Sequence, residues 1–358
     1  MDTLTNDWLK KMELAHPLVI AGPCSAETEE QVLDIAHQLK NSDATVFRAG
    51  VWKPRTRPGN FEGIGALALP WLQRVKKETG LLIAIEIANA THAKLALEHD
   101  VDILWIGART TVNPFAVQEI ADAIAGTDKI VLVKNPVNPD LALWLGAVER
   151  FQKAGIKKLG VIHRGFSTYQ KTKYRNNPNW QIPIEVKNRF PNLPIICDPS
   201  HICGNRENLL DVSQTALDLQ FDGLMIETHN NPDKAWSDAK QQVTPERLKE
   251  MTVELTIRKS AFEADASKEA LKKLREEINI IDEQLIALLA SRMAVSDKIG
   301  AEKKKQNVAV LQQKRWNQII DKSVAEAKGL GLSDEFVSKI YKTIHQESIM
   351  RQEKVMNS

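Results

Sequence analysis

From residue 17 onward the chain alternates short apolar runs with longer segments whose apolar positions recur every three or four residues. The runs occupy 18–21, 45–47, 81–85, 103–106, 130–133, 159–162, 194–197 and 223–226, and they read as buried strands. Between them, 29–39, 66–77, 91–98, 114–124, 139–153 and 207–219 carry helical periodicity. Residues 1–16 read as a short amphipathic lead-in. Eight buried strands alternating with helices over about 240 residues predict a (β/α)8 TIM barrel. A doubly wound open sheet is the alternative, but no Gly-x-Gly-x-x-Gly turn follows the first run.

After residue 258 the pattern changes. A small, acidic stretch at 259–267 reads as a linker between a barrel at 1–258 and a helical domain at 268–358. Three helical patterns follow, at 268–305, 310–328 and 333–354. The first places Leu274, Ile278, Ile281, Leu285, Leu288, Val295 and Ile299 at steps of three, four and seven, and Arg292 falls in the same register. A cation in an apolar seam needs a partner. In the third pattern the ridge Ile340, Ile344, Ser348, Gln352 turns from apolar to hydrogen-bonding. Polar groups aimed into helical packing point to a site within a bundle.

Composition narrows the function classes. With 43% hydrophobic and 26% charged residues, the 358-residue chain has an ordinary globular balance. A net charge of +2 argues against a nucleic-acid binder with a global basic face, and leaves local cation clusters as substrate sites. No apolar run approaches the roughly 18 residues of a membrane helix. Three cysteines do not make a disulfide framework, so a cytoplasmic location is expected.

Just past the eight runs stand Cys24, Arg48, Glu86, Arg109, Lys134, His163 with Arg164, Asp198 with His201, and Glu227. In the predicted barrel these strand ends converge on one mouth. Packed charges are costly unless they hold a ligand or one another. Arg48, Lys53, Arg109, Lys134 and Arg164 form an anion-binding set larger than one carboxylate requires. The segment around Arg48, Lys53, Arg55 and Arg57 closes in Pro58 and Gly59, where proline keeps the cations on an irregular loop. Cys24, His201, Glu227 and Asp238 form a soft-to-hard donor set that suits a divalent transition metal, with Cys203 as a competing thiol.

These residues sit in seven motifs in order: Ala21-Gly22-Pro23-Cys24-Ser25, Lys53-Pro54-Arg55-Thr56, Ile106-Gly107-Ala108-Arg109-Thr110, Val133-Lys134-Asn135, His163-Arg164-Gly165, Asp198-Pro199-Ser200-His201 and Ile226-Glu227-Thr228-His229. Over residues 17 to 258 the chain resembles the 3-deoxy-D-arabino-heptulosonate 7-phosphate (DAHP) synthases of the compact Iβ type. The resemblance implies condensation of phosphoenolpyruvate with erythrose 4-phosphate and water. It gives Arg48, Lys53, Arg109, Lys134 and Arg164 to phosphoenolpyruvate, with Ala108 as a backbone donor, and Lys53, Arg55 and Thr56 to the aldose phosphate. It gives Cys24, His201, Glu227 and Asp238 to one divalent metal ion, Mn2+ first, with Co2+, Zn2+ or Fe2+ as alternatives. Lys53, His201 and Glu86 are the acid–base candidates. Arg57 departs from the small residue usual after Lys-Pro-Arg-Thr, and is expected to be a solvated loop charge. A related phosphoenolpyruvate-condensing synthase acting on another sugar is the alternative, against which Lys53-Pro54-Arg55-Thr56 argues.

Residues 268–354 resemble the all-helical chorismate mutases. The resemblance implies that Arg275, Arg292, Lys303, Arg315 and Gln352 bind chorismate, with Ser348 in support, and that Arg292, Lys303 and Gln352 act in its rearrangement. It implies a homodimer through these helices, possible higher homo-oligomers, and an Arg275 that serves the neighbouring chain's site. Trp316 and Gln312 stand where the family commonly has a Glu and an Asp. The expectation is therefore a bifunctional enzyme with retained mutase activity, whose mutase domain also senses prephenate or chorismate as feedback. A non-catalytic dimerisation and sensing tail is the alternative.

Overall fold

A computed structural model describes residues 8–12, 14, 16–55, 59–169, 172–259 and 265–358. The chain divides into two compact units, Met1–Ser260 and Ala261–Ser358.

The first unit is a closed parallel barrel with strands in sequence order. They are β1 (Leu18–Gly22), β2 (Val46–Ala49), β3 (Leu82–Ile87), β4 (Ile103–Ile106), β5 (Ile130–Lys134), β6 (Lys158–His163), β7 (Ile195–Cys197) and β8 (Gly223–Glu227). Each coincides with a predicted run to within two residues. The helix Gln181–Arg189 between β6 and β7 was not predicted. Pro183 interrupts its pattern, and only its place in the first turn makes that proline tolerable. Several crossover helices open on a residue whose side chain takes an orphan amide: Thr28 from Gln31, Asn89 from His92, Asp140 from Leu143 and Thr244 from Arg247.

Alternation along the strands sorts the side chains. Leu18 and Ile20, Val46, Ala84, Ile103 and Trp105, Ile130 and Leu132, Ile162, Ile196 and Met225 fill the barrel interior. Their odd-numbered or even-numbered neighbours pack outward beneath the helices. The lead-in closes the floor: Trp8 is buried with this inner set, and its indole Nε1 donates to the Leu159 carbonyl at 2.7 Å. Two residues beyond the inner apolar layer, on the same face, come Arg48, Glu86, Lys134, Arg164, Asp198 and Glu227. The period of two thus delivers charge to the mouth directly above a dry core. Gly22 allows a close approach there, because a Cβ at its φ of 145° would lie 2.1 Å from the Arg48 carbonyl oxygen.

The second unit has three helices: α1 (Asp265–Gln306), α2 (Gln313–Lys328) and α3 (Asp334–Asn357). Ser333 caps α3 by accepting from the Phe336 amide. Its buried side chains are few, among them Met293, Ser296, Ala327, Val337, Ser348 and Gln352. Gly300 lets α1 and α3 meet closely, since a Cβ there would stand 2.9 Å from Gln352 Cα. The α1 seam of Leu274, Ile278, Ile281, Leu285, Leu288, Val295 and Ile299 is 44 to 69% exposed within one chain.

Candidate functional site

The barrel mouth encloses a cavity of about 310 Å³ lined by Cys24, Arg48, Lys53, Arg55, Glu86, Arg109, Lys134, Arg164, Arg175, His201, Glu227 and Asp238, with Trp52 and Asn60. Eleven of these were singled out from the sequence, and their convergence is the barrel's doing. Arg48 is buried over the Trp105 ring, 4.8 Å from its centroid. Its Nη1 donates to Glu227 Oε1 at 3.1 Å and its Nη2 to the Cys24 carbonyl at 3.2 Å, while Nε has no partner among the described residues. A buried guanidinium N–H left unpaired is a donor awaiting an acceptor. Lys134 donates to Asp198 Oδ2 at 2.8 Å. Burial pushes the Arg164 pKa down to about 10, which still leaves it cationic at neutral pH. Lys53 reaches the Cys24 thiol, the Ser237 hydroxyl at 3.2 Å and Asp238 Oδ2 at 3.8 Å. Arg55 donates from Nε to the Phe61 carbonyl at 2.7 Å, and its Nη1 stands 3.9 Å from Asp238 Oδ2.

The acidic residues hold these cations in place. Asp198 caps the short helix Pro199–Cys203 through the His201 amide and bonds the same residue's Nδ1. Burial alone would raise its pKa, but His201 and Lys134 outweigh it and hold Asp198 well below the carboxylate range. Glu227, fully buried, is likewise kept ionised against burial by His201, Arg48 and Lys53. It also accepts from Gln241 Nε2 at 2.7 Å. Asp238 sits at a φ of 47°, a conformation costly for a non-glycine residue and frequent at functional sites. Its partner Arg175, 2.9 Å away, lies on the loop after β6 and had no strand-end signature to mark it. Gln241 is another missed residue, a buried link between Arg175 and Glu227.

Two members of the strand-end set do not line the mouth. His163 lies on the outer face of β6, among Trp144, Phe166, Trp180 and Phe221. Odd parity directs it under the helices while Arg164, one residue on, faces in. Asp198 acts from beneath the cavity through Lys134 and His201. Cys203 belongs to the outer core, away from the mouth. Ala108 opens the short helix Ala108–Thr111, so its amide is among those that a helix start leaves without an intrahelical acceptor. Thr56 and Arg57 lie outside the described residues.

Cys24, His201, Glu227 and Asp238 all face this cavity. Cys24 Sγ stands 3.2 Å from Asp238 Oδ2, and His201 Nε2 stands 3.9 Å from Glu227 Oε1. Burial and then the Glu227 charge push the Cys24 thiol up to about 12. A buried thiol, an imidazole and two carboxylates brought together from four segments fit a divalent cation chemically. Among the described residues no three such side chains are gathered closely enough to hold an ion as they stand; Lys53 lies against Cys24.

In the helical unit a second cavity, of about 430 Å³, is lined by Arg292, Ser296, Lys303, Gln312, Arg315, Trp316, His345, Ser348 and Gln352 with an apolar remainder. Arg292 Nη1 donates to Ser348 Oγ at 2.7 Å, and Lys303 Nζ donates to Gln352 Oε1 at 3.0 Å. Burial lowers the Lys303 pKa. Five of the six residues expected here line the cavity; Arg275, exposed on α1, does not. His345, stacked on Trp316, was not anticipated.

Both units match known families. Residues 14–261 match the family model "DAHP synthetase I family", and residues 274–353 match "Chorismate mutase type II". A phospho-2-dehydro-3-deoxyheptonate aldolase of Thermotoga maritima is 31% identical over 237 residues, 66% of this chain and 68% of the relative. A 2-dehydro-3-deoxyphosphooctonate aldolase of Nitratidesulfovibrio vulgaris is 26% identical, covering 70% of this chain and 95% of that one. The crystal structure of a DAHP synthase from Thermotoga maritima superposes with a TM-score of 0.61 at 31% identity, over 66% of this chain and 67% of the other. A truncated form of the Thermotoga maritima enzyme gives 0.58 at 28% identity, over 66% and 84%. The barrel, its cation-lined mouth and these matches agree: the chain belongs to the DAHP synthetase I family and carries a chorismate mutase type II domain, two enzyme domains of the shikimate pathway on one polypeptide.

Proposed function

We propose that residues 1–258 condense phosphoenolpyruvate with erythrose 4-phosphate and water to give DAHP and phosphate, in a metal-dependent reaction, and that residues 268–358 rearrange chorismate to prephenate. The observation that carries the first reading is the distribution of cations around one cavity. Arg48, Lys134, Arg164 and Arg109 line it from the strand ends, and Lys53 and Arg55 line it from the β2 loop. Two phosphorylated substrates need two such anion-binding regions at once. The unpaired Nε of Arg48 supports phosphoenolpyruvate at the first region.

Cys24, His201, Glu227 and Asp238 would hold a divalent ion, which would supply Lewis-acid polarisation of the aldehyde. Around it the chain's own groups orient the reactants. The methylene carbon of phosphoenolpyruvate attacks the aldehyde carbon, and Lys53, between the two regions, is placed to give a proton to the aldehyde oxygen. Water then adds to the adjoining, phosphate-bearing carbon, which that attack leaves cationic; it gives up a proton, and phosphate departs as the ketone forms. Asp198 keeps His201 oriented and Lys134 in place throughout.

In the helical cavity the chemistry is unimolecular and needs no nucleophile. Arg292 and Arg315 fit the two carboxylates, while Lys303 and the Gln352 amide serve the ether oxygen on which charge develops. Gln352 accepts from Lys303 through Oε1, which leaves its N–H groups to donate. The exposed α1 seam supports a homodimer in which Arg275 reaches the neighbouring chain's cavity. The three free cysteines, all buried, suit a reducing cytoplasm.

Loss of phosphoenolpyruvate with erythrose 4-phosphate, followed with and without chelator, tests the barrel. Turnover that chelation abolishes is expected, and turnover with arabinose 5-phosphate alone would overturn the assignment. For the tail, wild type should consume chorismate and Arg292→Ala should lose on the order of 100-fold or more. No consumption by wild type would leave the tail a dimerisation and sensing module.

A further inference from the structure

The second cavity is unusual in its charge: among the described residues three cations, Arg292, Lys303 and Arg315, line it and no carboxylate does. Chorismate presents two carboxylates and an ether oxygen, all acceptors that these donors serve, but it also carries one ring hydroxyl. That O–H requires an acceptor, because a hydroxyl taken out of water without one is penalised.

The acceptors lining the cavity can be counted. Ser348 Oγ already accepts from Arg292 at 2.7 Å and donates to the Ile344 carbonyl at 2.9 Å. Ser296 Oγ is engaged with Ser348 Oγ at 3.2 Å and with the Arg292 carbonyl. Gln352 Oε1 is taken by Lys303, as is the Val310 carbonyl. Among the lining side chains, Gln312 and His345 are the ones whose acceptor atoms have no hydrogen-bond partner at all among the described residues. Gln312 is exposed just ahead of α2. His345 is half-buried on α3 and stacked against Trp316 of α2, ring centroids 3.9 Å apart and planes 21° from parallel. No group among the described residues bonds its ring nitrogens. Stacking covers the imidazole face and leaves the edge, where the nitrogens lie.

We propose that His345 is the hydrogen-bond acceptor for the ring hydroxyl of chorismate, with Trp316 as the residue that positions it. The assignment rests on the mutase reading. A neutral imidazole has one acceptor nitrogen. Burial foremost, then the charges of Arg292 and Lys303 on α1, hold His345 below its ordinary pKa and so in that neutral form. Arg315 on α2 adds a further cation to the same wall. An imidazole thus does here what a carboxylate could do, without placing an anion beside the substrate's own carboxylates.

The test uses the full chain and two substrates, chorismate and its analogue lacking the ring hydroxyl. His345→Phe keeps the stack on Trp316 and removes the acceptor. We expect kcat/KM for chorismate to fall roughly tenfold, the worth of one lost hydrogen bond, with the analogue unaffected. His345→Gln, which keeps an acceptor, should retain most of the preference for chorismate. Equal losses on both substrates would reduce His345 to a packing role, and no loss on either would show that it does not read the hydroxyl; either result overturns the assignment. If the Phe variant fails to fold, the Gln variant and the 15N shifts of His345 in wild type on adding chorismate decide the matter: unmoved shifts overturn it. A wild type that turns over neither substrate removes the mutase reading itself, and this assignment with it.

Discussion

His163 should make the barrel lose stability in acid for a reason unrelated to its mouth. Its ring is fully buried among Trp144, Phe166, Trp180 and Phe221, and neither nitrogen has a hydrogen-bond partner among the described residues. Burial, and then the charge of Arg164, lower its pKa from 6.5 to about 3. The Pro178 backbone favours the proton without reaching hydrogen-bonding geometry, and does not offset burial. The unfolded chain takes up this proton near pH 6.5, whereas the folded barrel takes it up only near pH 3. Between those values the unfolded state binds more protons, so stability is complete above pH 6.5 and falls as the pH drops. At about 1.4 kcal/mol per pH unit, the full window is worth roughly 5 kcal/mol, and the step from pH 7.5 to pH 5 about 2 kcal/mol. His163→Phe replaces a partnerless polar ring with an apolar one and removes the titration. Urea unfolding of both proteins at pH 7.5 and pH 5, followed by the fluorescence of the adjacent Trp144 and Trp180, measures the difference. Relative to wild type, the variant should gain about 2 kcal/mol on going to pH 5. A stability difference that is the same at both pH values would refute the argument.

Two further outcomes concern the helical unit. Leu285→Lys puts an ammonium into the seam exposed on α1, so sedimentation should show a dimer for wild type and a monomer for the variant, with chorismate turnover falling as well; a dimer in both would mean that another surface joins the chains. Prephenate, the product proposed for the second cavity, should slow the synthase reaction, and full synthase activity at saturating prephenate would exclude feedback through this domain.

The pattern of apolar runs determined the barrel because period and order are local properties: each strand buries both faces, and each following helix shows its own amphipathic stripe. The three C-terminal helices were legible for the same reason, and so was Arg292, whose charge breaks the α1 seam. The strand ends also announced a cation-rich mouth. Parity within β6 could not be settled from the run alone, and tertiary structure turned His163 outward and Arg164 inward. Arg175, Gln241 and His345 carried no local signal, since they reach their sites from a loop, a 3-10 turn and the neighbouring helix. Their roles come from partners distant in the chain: Asp238 for Arg175, Glu227 for Gln241 and Trp316 for His345. Sequence period fixes which face of an element a residue occupies. Only packing decides what that face meets, and here it decided which charges are paired across the chain and which buried groups are left without a partner among the described residues.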